Sequence, residues 1–96
     1  MQITIHKPLF ELGQILATTG ATEAMQGNML VAAILLDRHA SGDWGDLDQE
    51  DRETNDEAVK LGNRILSAYK LDTGGKLWII TEWDRSATTI LLPEEY

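Results

Sequence analysis

The fold is decided in the middle of the chain, which reads Arg38-His39-Ala40-Ser41-Gly42-Asp43-Trp44-Gly45-Asp46-Leu47-Asp48-Gln49-Glu50-Asp51-Arg52-Glu53-Thr54-Asn55-Asp56-Glu57. Its acidic part, Asp43–Glu57, holds eight of the sixteen carboxylates and a single cation, Arg52, so it carries −7 of the net charge of −8. A helix-like segment precedes this stretch and strand-like segments follow it. The rest of the chain is therefore organised around it.

An apolar run, Met29–Leu36, lies before the acidic stretch. Asn28 is a good N-cap residue, and the pattern that follows it predicts a helix over Met29–His39. Because the run is apolar almost all round, we expect this helix to be buried. The segment Ala21–Gln26 predicts one or two further helical turns, ended by Gly27.

The acidic stretch continues into a second helix. Gly42 and Gly45 bracket Asp43-Trp44 in a loop, and we expect both glycines to hold backbone conformations that a side chain would strain. The helix predicted over Gln49–Leu61 has few apolar positions, which is typical of a surface helix. Carboxylates in its first turn favour the positive end of the helix dipole, but they continue well beyond that turn. A binding partner explains the later carboxylates better.

Three β-rich segments follow, Asn63–Leu71, Lys76–Trp83 and Ala87–Leu92, and the short turns between them predict an antiparallel meander. Near the start of the chain, Gln2–His6 alternates polar and apolar residues, and Phe10–Ala17 is a second extended segment. Together these elements predict an α+β fold, a twisted antiparallel sheet with two or three helices on one face.

Length and composition limit the class of protein. With 96 residues, 43% hydrophobic and 25% charged, the chain fits one small globular domain over residues 1–96. The absence of cysteine excludes disulfides and thiolate chemistry. There is no leader-like start, and the longest apolar run has eight residues against about 20 needed to cross a bilayer, so we expect a cytoplasmic protein without a membrane segment. A pI near 4.5 with scattered cations disfavours direct binding to nucleic acid.

A calcium site is one alternative use of the carboxylates. Asp46, Asp48, Glu50 and Glu57 fall at ligand offsets of an EF-hand loop. Asp51, however, stands at the position where an EF-hand loop requires glycine, so the sequence argues against this site. We expect neither a metal nor a cofactor.

Acid–base catalysis is a second alternative, because His39, Asp43 and Asp46 could meet at one loop. A histidine at the end of an apolar helix more often caps carbonyls or pairs with a nearby acid, and no familiar catalytic motif is present. We therefore expect no catalytic residue. A small enzyme or ligand-binding domain centred on His39, Asp43 and Trp44 remains the runner-up.

Tryptophans are numerous for a chain of this length. Trp78 lies within an apolar strand segment and is predicted to be a largely buried core residue. Trp44 either fills the core from its loop, which we favour, or stands exposed as an anchor for a partner. Trp83, next to a turn, is open to the same two interpretations.

Several segments resemble a family of small bacterial and plasmid-borne proteins labelled "plasmid-related protein" or "type I restriction endonuclease subunit M". They are Arg38-His39, Ser41–Leu47, Arg64–Tyr69, Trp78–Glu82 and Asp84–Tyr96, and the resemblance covers roughly residues 9–96. It implies a mobile-element setting and supplies no catalytic residues. A DNA methyltransferase subunit needs a larger domain with a glycine-rich cofactor loop, so we expect at most an accessory to such a system.

These observations favour a non-catalytic, acidic interaction module of a mobile genetic element. We expect it to bind a basic protein surface, for example the nucleic-acid-binding site of a host defence or DNA-processing complex, as a DNA mimic would. The expected contact residues are Asp43, Trp44, Asp46, Glu50, Glu53, Asp56 and Glu57. A third interpretation is a homodimeric structural protein that pairs an exposed strand.

Overall fold

The computed structural model describes residues 7–96, so the strand predicted over Gln2–His6 lies outside the described residues. The elements follow in the order β1 (Gln14–Ala17), α1 (Thr19–Ala24), α2 (Met29–Ala40), α3 (Gln49–Leu61), β2 (Ile65–Lys70), β3 (Lys76–Thr81) and β4 (Ala87–Leu91), with a 3-10 turn at Pro93–Glu95. The predicted α+β class is confirmed. No helix among these residues is long and apolar enough to cross a membrane.

The sheet has the strand order β1-β4-β3-β2. Its last three strands form the antiparallel meander that the short turns predict, with Ser67 opposite Ile79 and Ile79 opposite Ile90. The strand β1 joins β4 in parallel, with Ile15 opposite Thr88, so the sheet is mixed rather than wholly antiparallel. The strands β1 and β4 can pair in parallel because the three helices and two strands between them make a connection long enough to cross over the sheet.

The segment Phe10–Ala17 forms a strand only from Gln14 onward. Before that point the chain is attached to the end of α2, where the Leu9 N–H donates to the Ala40 carbonyl at 2.8 Å. Phe10 packs beside His39 at a ring distance of 5.3 Å. The first half of the predicted extended segment therefore belongs to the helical layer.

The two long helices begin where the sequence predicts. Asn28 caps α2 by accepting a hydrogen bond from the Leu30 N–H, and Asp48 caps α3 by accepting one from the Asp51 N–H at 2.9 Å. Both helices pack on one face of the sheet. The main core cluster joins α1 and α2 to this face and includes Leu35, Leu36, Tyr69, Leu77, Ile79 and Ile90.

The expectation that α2 is buried on nearly all sides is wrong. One face is buried, but Met29 is 57% exposed, Leu30 60% and Ile34 52%. Only one layer of helices covers the sheet, and no part of residues 7–96 covers the outer side of α2. An apolar helix face therefore remains at the surface.

Most of the Trp78 side chain is shielded from solvent, as predicted, but it lies outside both core clusters, so its assignment to the core is wrong. Alternation along β3 directs Leu77 and Ile79 toward the helices and Trp78 to the opposite face. There Trp78 packs edge-to-face on Tyr96 at 5.6 Å. Trp83 is 67% exposed.

The turn Asp84–Ser86 closes its own hairpin, because the Ser86 N–H donates to Asp84 Oδ1 at 3.0 Å. Arg85 has a second role that the sequence does not reveal. Its guanidinium donates to the carbonyls of Ala58 at 3.0 Å and Asn63 at 2.6 Å, at the end of α3. Arg85 thus joins the β3–β4 hairpin to the last turn of α3.

We predict that Arg85→Ala lowers the free energy of unfolding by about 1.5–3 kcal/mol, because carbonyls at the end of α3 lose a charged donor. Arg85→Lys should also destabilise, since an ammonium cannot reproduce the guanidinium fork. Urea denaturation measures both. The control Lys60→Ala removes a cation from the same helix end and should cost at most about 1 kcal/mol. Equal effects of Arg85→Ala and Lys60→Ala would contradict the role of Arg85.

Candidate functional site

The loop between α2 and α3 is held along the outer edge of β2. The Ala68 N–H donates to the Trp44 carbonyl at 3.1 Å, and the Asp46 N–H donates to the Ala68 carbonyl at 2.6 Å. Gly42 and Gly45 have φ values of +88° and +78°, which confirms that both need conformations that favour glycine. At Gly45 an added Cβ would also overlap the Ala68 carbonyl oxygen.

Trp44 fills the core and is only 4% exposed. Its ring stacks on Phe10 at 6.2 Å and meets His39 edge-on at 6.0 Å. It packs against Ala58 and Ile65 in a second core cluster. The favoured interpretation of Trp44 is therefore confirmed, and its inclusion among the partner-contact residues is wrong.

Asp43 fastens the loop to its surroundings. Its carboxylate accepts from Arg38 Nε at 2.7 Å and from Arg38 Nη2 at 3.3 Å, and this contact lowers the pKa of Asp43. Its backbone carbonyl accepts from the Tyr69 hydroxyl at 2.7 Å. This exposed carboxylate thus has a structural partner already.

Two more of the predicted contact residues have partners within the chain. Asp46 pairs with Lys76 at 3.2 Å and Lys70 at 3.7 Å, and the hydrogen bond from Lys76 is the main cause of its lowered pKa. Asp56 accepts a hydrogen bond from Trp44 Nε1 at 2.9 Å. These carboxylates hold the loop and the core tryptophan in place.

His39 is fully buried and lies at the centre of a chain of hydrogen bonds. Its Nδ1 is 2.6 Å from Ser67 Oγ and its Nε2 is 2.8 Å from Thr81 Oγ1. Thr81 Oγ1 in turn contacts Thr88 Oγ1 at 2.7 Å, and Thr88 donates to the Leu12 carbonyl at 2.7 Å.

The carbonyl of Leu12 fixes the direction of every bond in this chain, because a carbonyl can only accept. Thr88 donates its proton to Leu12 and must accept from Thr81. Thr81 has then used its own proton and must accept from His39 Nε2–H. His39 is therefore the Nε2–H tautomer, and its Nδ1 accepts from Ser67.

This geometry removes the proposed catalytic cluster. Burial lowers the pKa of His39 to about 3, so the ring is neutral at physiological pH. Asp43 and Asp46 face Arg38 and the lysines at the surface, and neither hydrogen-bonds to the imidazole. Among residues 7–96, the surface cavities of about 210, 360 and 450 Å³ beside the sheet are lined by other residues than His39, Asp43 and Trp44.

The outer face of α3 carries the remaining predicted contact residues, Glu50, Glu53 and Glu57, and we call these three the α3 acidic face. Their spacing of three and seven residues places them on one side of the helix, away from the buried Asn55 and Ala58. Glu53 accepts from the Gln49 side chain at 3.1 Å. Within residues 7–96, no ion pair engages any of the three.

The calcium interpretation has no support in this arrangement. Asp48 is occupied as the N-cap of α3 and Asp46 is paired with lysines. In the part of the chain that the structure describes, no three side chains of the metal-ligating types are gathered into a cluster.

Comparison of the chain with protein-family models, with curated proteins and with solved structures finds no match. Its function must be inferred from its own side chains.

We predict that Gly45→Ala lowers the free energy of unfolding by about 2–4 kcal/mol, through a strained φ and a forced displacement of β2. Gly62→Ala is the matched control. Gly62 has a similar φ of +74°, but an added Cβ there meets no atom within 4 Å, so only the cost of φ, about 1–2 kcal/mol, applies. Thermal and urea denaturation of both variants measure the difference, and equal losses would refute the close approach at Gly45.

We predict that the folded protein keeps the His39 ring neutral, with the proton on Nε2, down to about pH 4. The unfolded chain takes up this proton near its ordinary pKa of about 6.5, whereas the folded chain does so only near pH 3. The free energy of unfolding should therefore fall as the pH is lowered through this window, by up to about 1.4 kcal/mol per unit from this group. Nitrogen-15 shifts of the imidazole report the tautomer, and a ring that titrates near pH 6.5 would contradict the assignment.

Proposed function

We propose that this protein is a non-catalytic interaction module whose α3 acidic face binds a basic surface of another protein. One observation carries the proposal. Asp43, Asp46 and Asp56 each have a partner within the chain, whereas Glu50, Glu53 and Glu57 have no ionic partner among residues 7–96. These three carboxylates are thus available to an external cation.

Repulsion within the α3 acidic face opposes the favourable contact that Glu50, in the first turn, makes with the helix dipole. Glu50 and Glu53 are three residues apart, and Glu53 and Glu57 are four apart, and like charges at these spacings destabilise a helix by about 0.2–0.5 kcal/mol per pair. Lys60 follows Glu57 by one turn, but no ion pair joins them in the described structure. Binding of a cationic partner would relieve this repulsion.

The charge density favours a short cationic segment as the partner. Glu50 to Glu57 spans about 10.5 Å along the helix axis. Duplex DNA of that length carries about six phosphate charges, twice the number on the α3 acidic face. A helix or loop with two or three arginines fits this face better than a site built for a long stretch of duplex. The resemblance to plasmid-borne proteins supports a partner in a host defence or DNA-processing complex.

To test the proposal, Glu50, Glu53 and Glu57 are replaced together by glutamine, and binding of an arginine-rich probe peptide is followed by fluorescence anisotropy. We expect the triple variant to bind at least about tenfold more weakly than the wild type. Its melting temperature should stay close to that of the wild type, because relief of the repulsion offsets the lost dipole contact of Glu50. Wild-type binding should weaken steeply between about 0.05 and 0.5 M salt.

A matched control replaces Glu11, Glu23 and Glu94 by glutamine. These carboxylates are exposed and lie outside α3, so the control has the same net charge as the test variant. If both triple variants lose binding equally, only net charge is being measured and the proposal fails. A clear fall in melting temperature for the α3 variant alone would show instead that its acidic face is structural.

A further inference from the structure

We infer that two copies of this chain associate through β1 to form one continuous eight-stranded sheet. The inference rests on the backbone of β1 and the apolar surface beside it. It goes beyond the proposed function and does not depend on the α3 acidic face.

The two edges of the sheet differ. The edge at β2 is covered, because Gly45 and Asp46 lie along Ala68 and the Asn55 side chain bonds the Leu66 backbone at 2.7 and 3.3 Å. At the other edge all four residues of β1 are exposed. The sequence of β1, Gln-Ile-Leu-Ala, contains no charge and no proline, the features that natural edge strands use to prevent pairing.

The backbone of β1 can pair with itself. The N–H groups of Gln14 and Thr18 donate to the carbonyls of Ser86 and Ile90, at 3.0 Å each, and so point toward β4. Alternation along a strand then directs the N–H and C=O groups of Ile15 and Ala17 outward. These outward groups are symmetric about Leu16. In an antiparallel pair centred on Leu16, Ile15 of each copy faces Ala17 of the other, and every outward group finds a partner.

The side chains suit the same arrangement. Leu16 is 42% exposed, and the two copies of Leu16 would meet across the two-fold axis on the face away from the helices. Ile15, 40% exposed, lies on the helix side at a groove of about 210 Å³ that Met29, Ala32 and Leu36 also line. In the pair, Ile15 of the second copy faces Ala17, which also lines this groove.

Charge favours a second copy over a basic partner at this edge. No charged residue belongs to β1 or lines the groove beside it, and the Glu95 carboxylate near the end of β1 already accepts a hydrogen bond from Thr18 Oγ1 at 2.6 Å. The acidic helix α3 packs against β2 at the far edge. In the eight-stranded sheet the two β2 strands are seven strand spacings apart, about 34 Å. This distance exceeds the Debye length of about 8 Å several times over, so the acidic stretches Asp43–Glu57 of the two copies oppose association only weakly.

The test is sedimentation equilibrium of the full 96-residue chain over a wide range of concentrations. We expect the mass to rise from 10.7 kDa toward twice that value with increasing concentration, at low and at high salt. Leu16→Lys should raise the dissociation constant by about a hundredfold or more, because two ammonium groups would face each other at the two-fold axis. Ala17→Pro, which removes an outward N–H, should act in the same direction.

Leu61→Lys is the matched control. It adds the same charge at a residue that is 69% exposed on α3, at the far edge, and should leave dimerisation unchanged. In the wild type, amide exchange at Ile15 and Ala17 should slow as concentration rises, a readout that needs no variant. A wild type that stays monomeric up to about 1 mM, or a dimer that survives Leu16→Lys and Ala17→Pro, would overturn the inference. Because the expected dimer persists at high salt, its failure is distinguishable from failure of binding at the α3 acidic face.

Discussion

The structure depends on a buried chain of hydrogen bonds that runs in one direction, from Ser67 through His39, Thr81 and Thr88 to the Leu12 carbonyl. It joins α2 to three strands and to the segment that leads into β1. Thr81 and Thr88 each donate and accept, and His39 uses both ring nitrogens, so removing any of these three side chains would leave a buried polar group without a partner, which costs about 1–3 kcal/mol. The network therefore specifies how the helical layer packs on the sheet. It also engages both ring nitrogens of His39, the residue considered above for acid–base catalysis.

Much of the fold could be predicted from local sequence. Asn28 and Asp48 identify the starts of two helices because capping is a local interaction, and the turns around Gly74 and Asp84 identify the meander for the same reason. The site was only partly predictable. The sequence locates the acidic stretch, but it cannot show which carboxylates meet a cation or an indole N–H. Asp56, for example, binds Trp44 twelve residues away, and only the folded chain brings them together.

The errors have a common physical cause, since each depends on contacts between distant segments. The apolar run of α2 predicts burial, but whether Leu30 is covered depends on how many layers the fold has. The direction of β1 depends on its pairing with a strand more than seventy residues away, with Gln14 opposite Ala87. Trp78 falls on the far side of the sheet because strand register, rather than hydrophobicity, decides which face a residue occupies. Arg85 caps α3 only because the hairpin approaches that helix in space.

The loop that covers β2 has a consequence for how the molecule can aggregate. A sheet with two open edges can add copies at either end and grow into a fibre, as unprotected strands do in amyloid. Here the backbone of Gly45 and Asp46 occupies one edge, so within residues 7–96 strand addition is available on one side only. Growth by edge pairing must then terminate after a single step, because a symmetric contact consumes the open edge of both molecules. The loop that covers β2 thus limits assembly by edge pairing to two molecules.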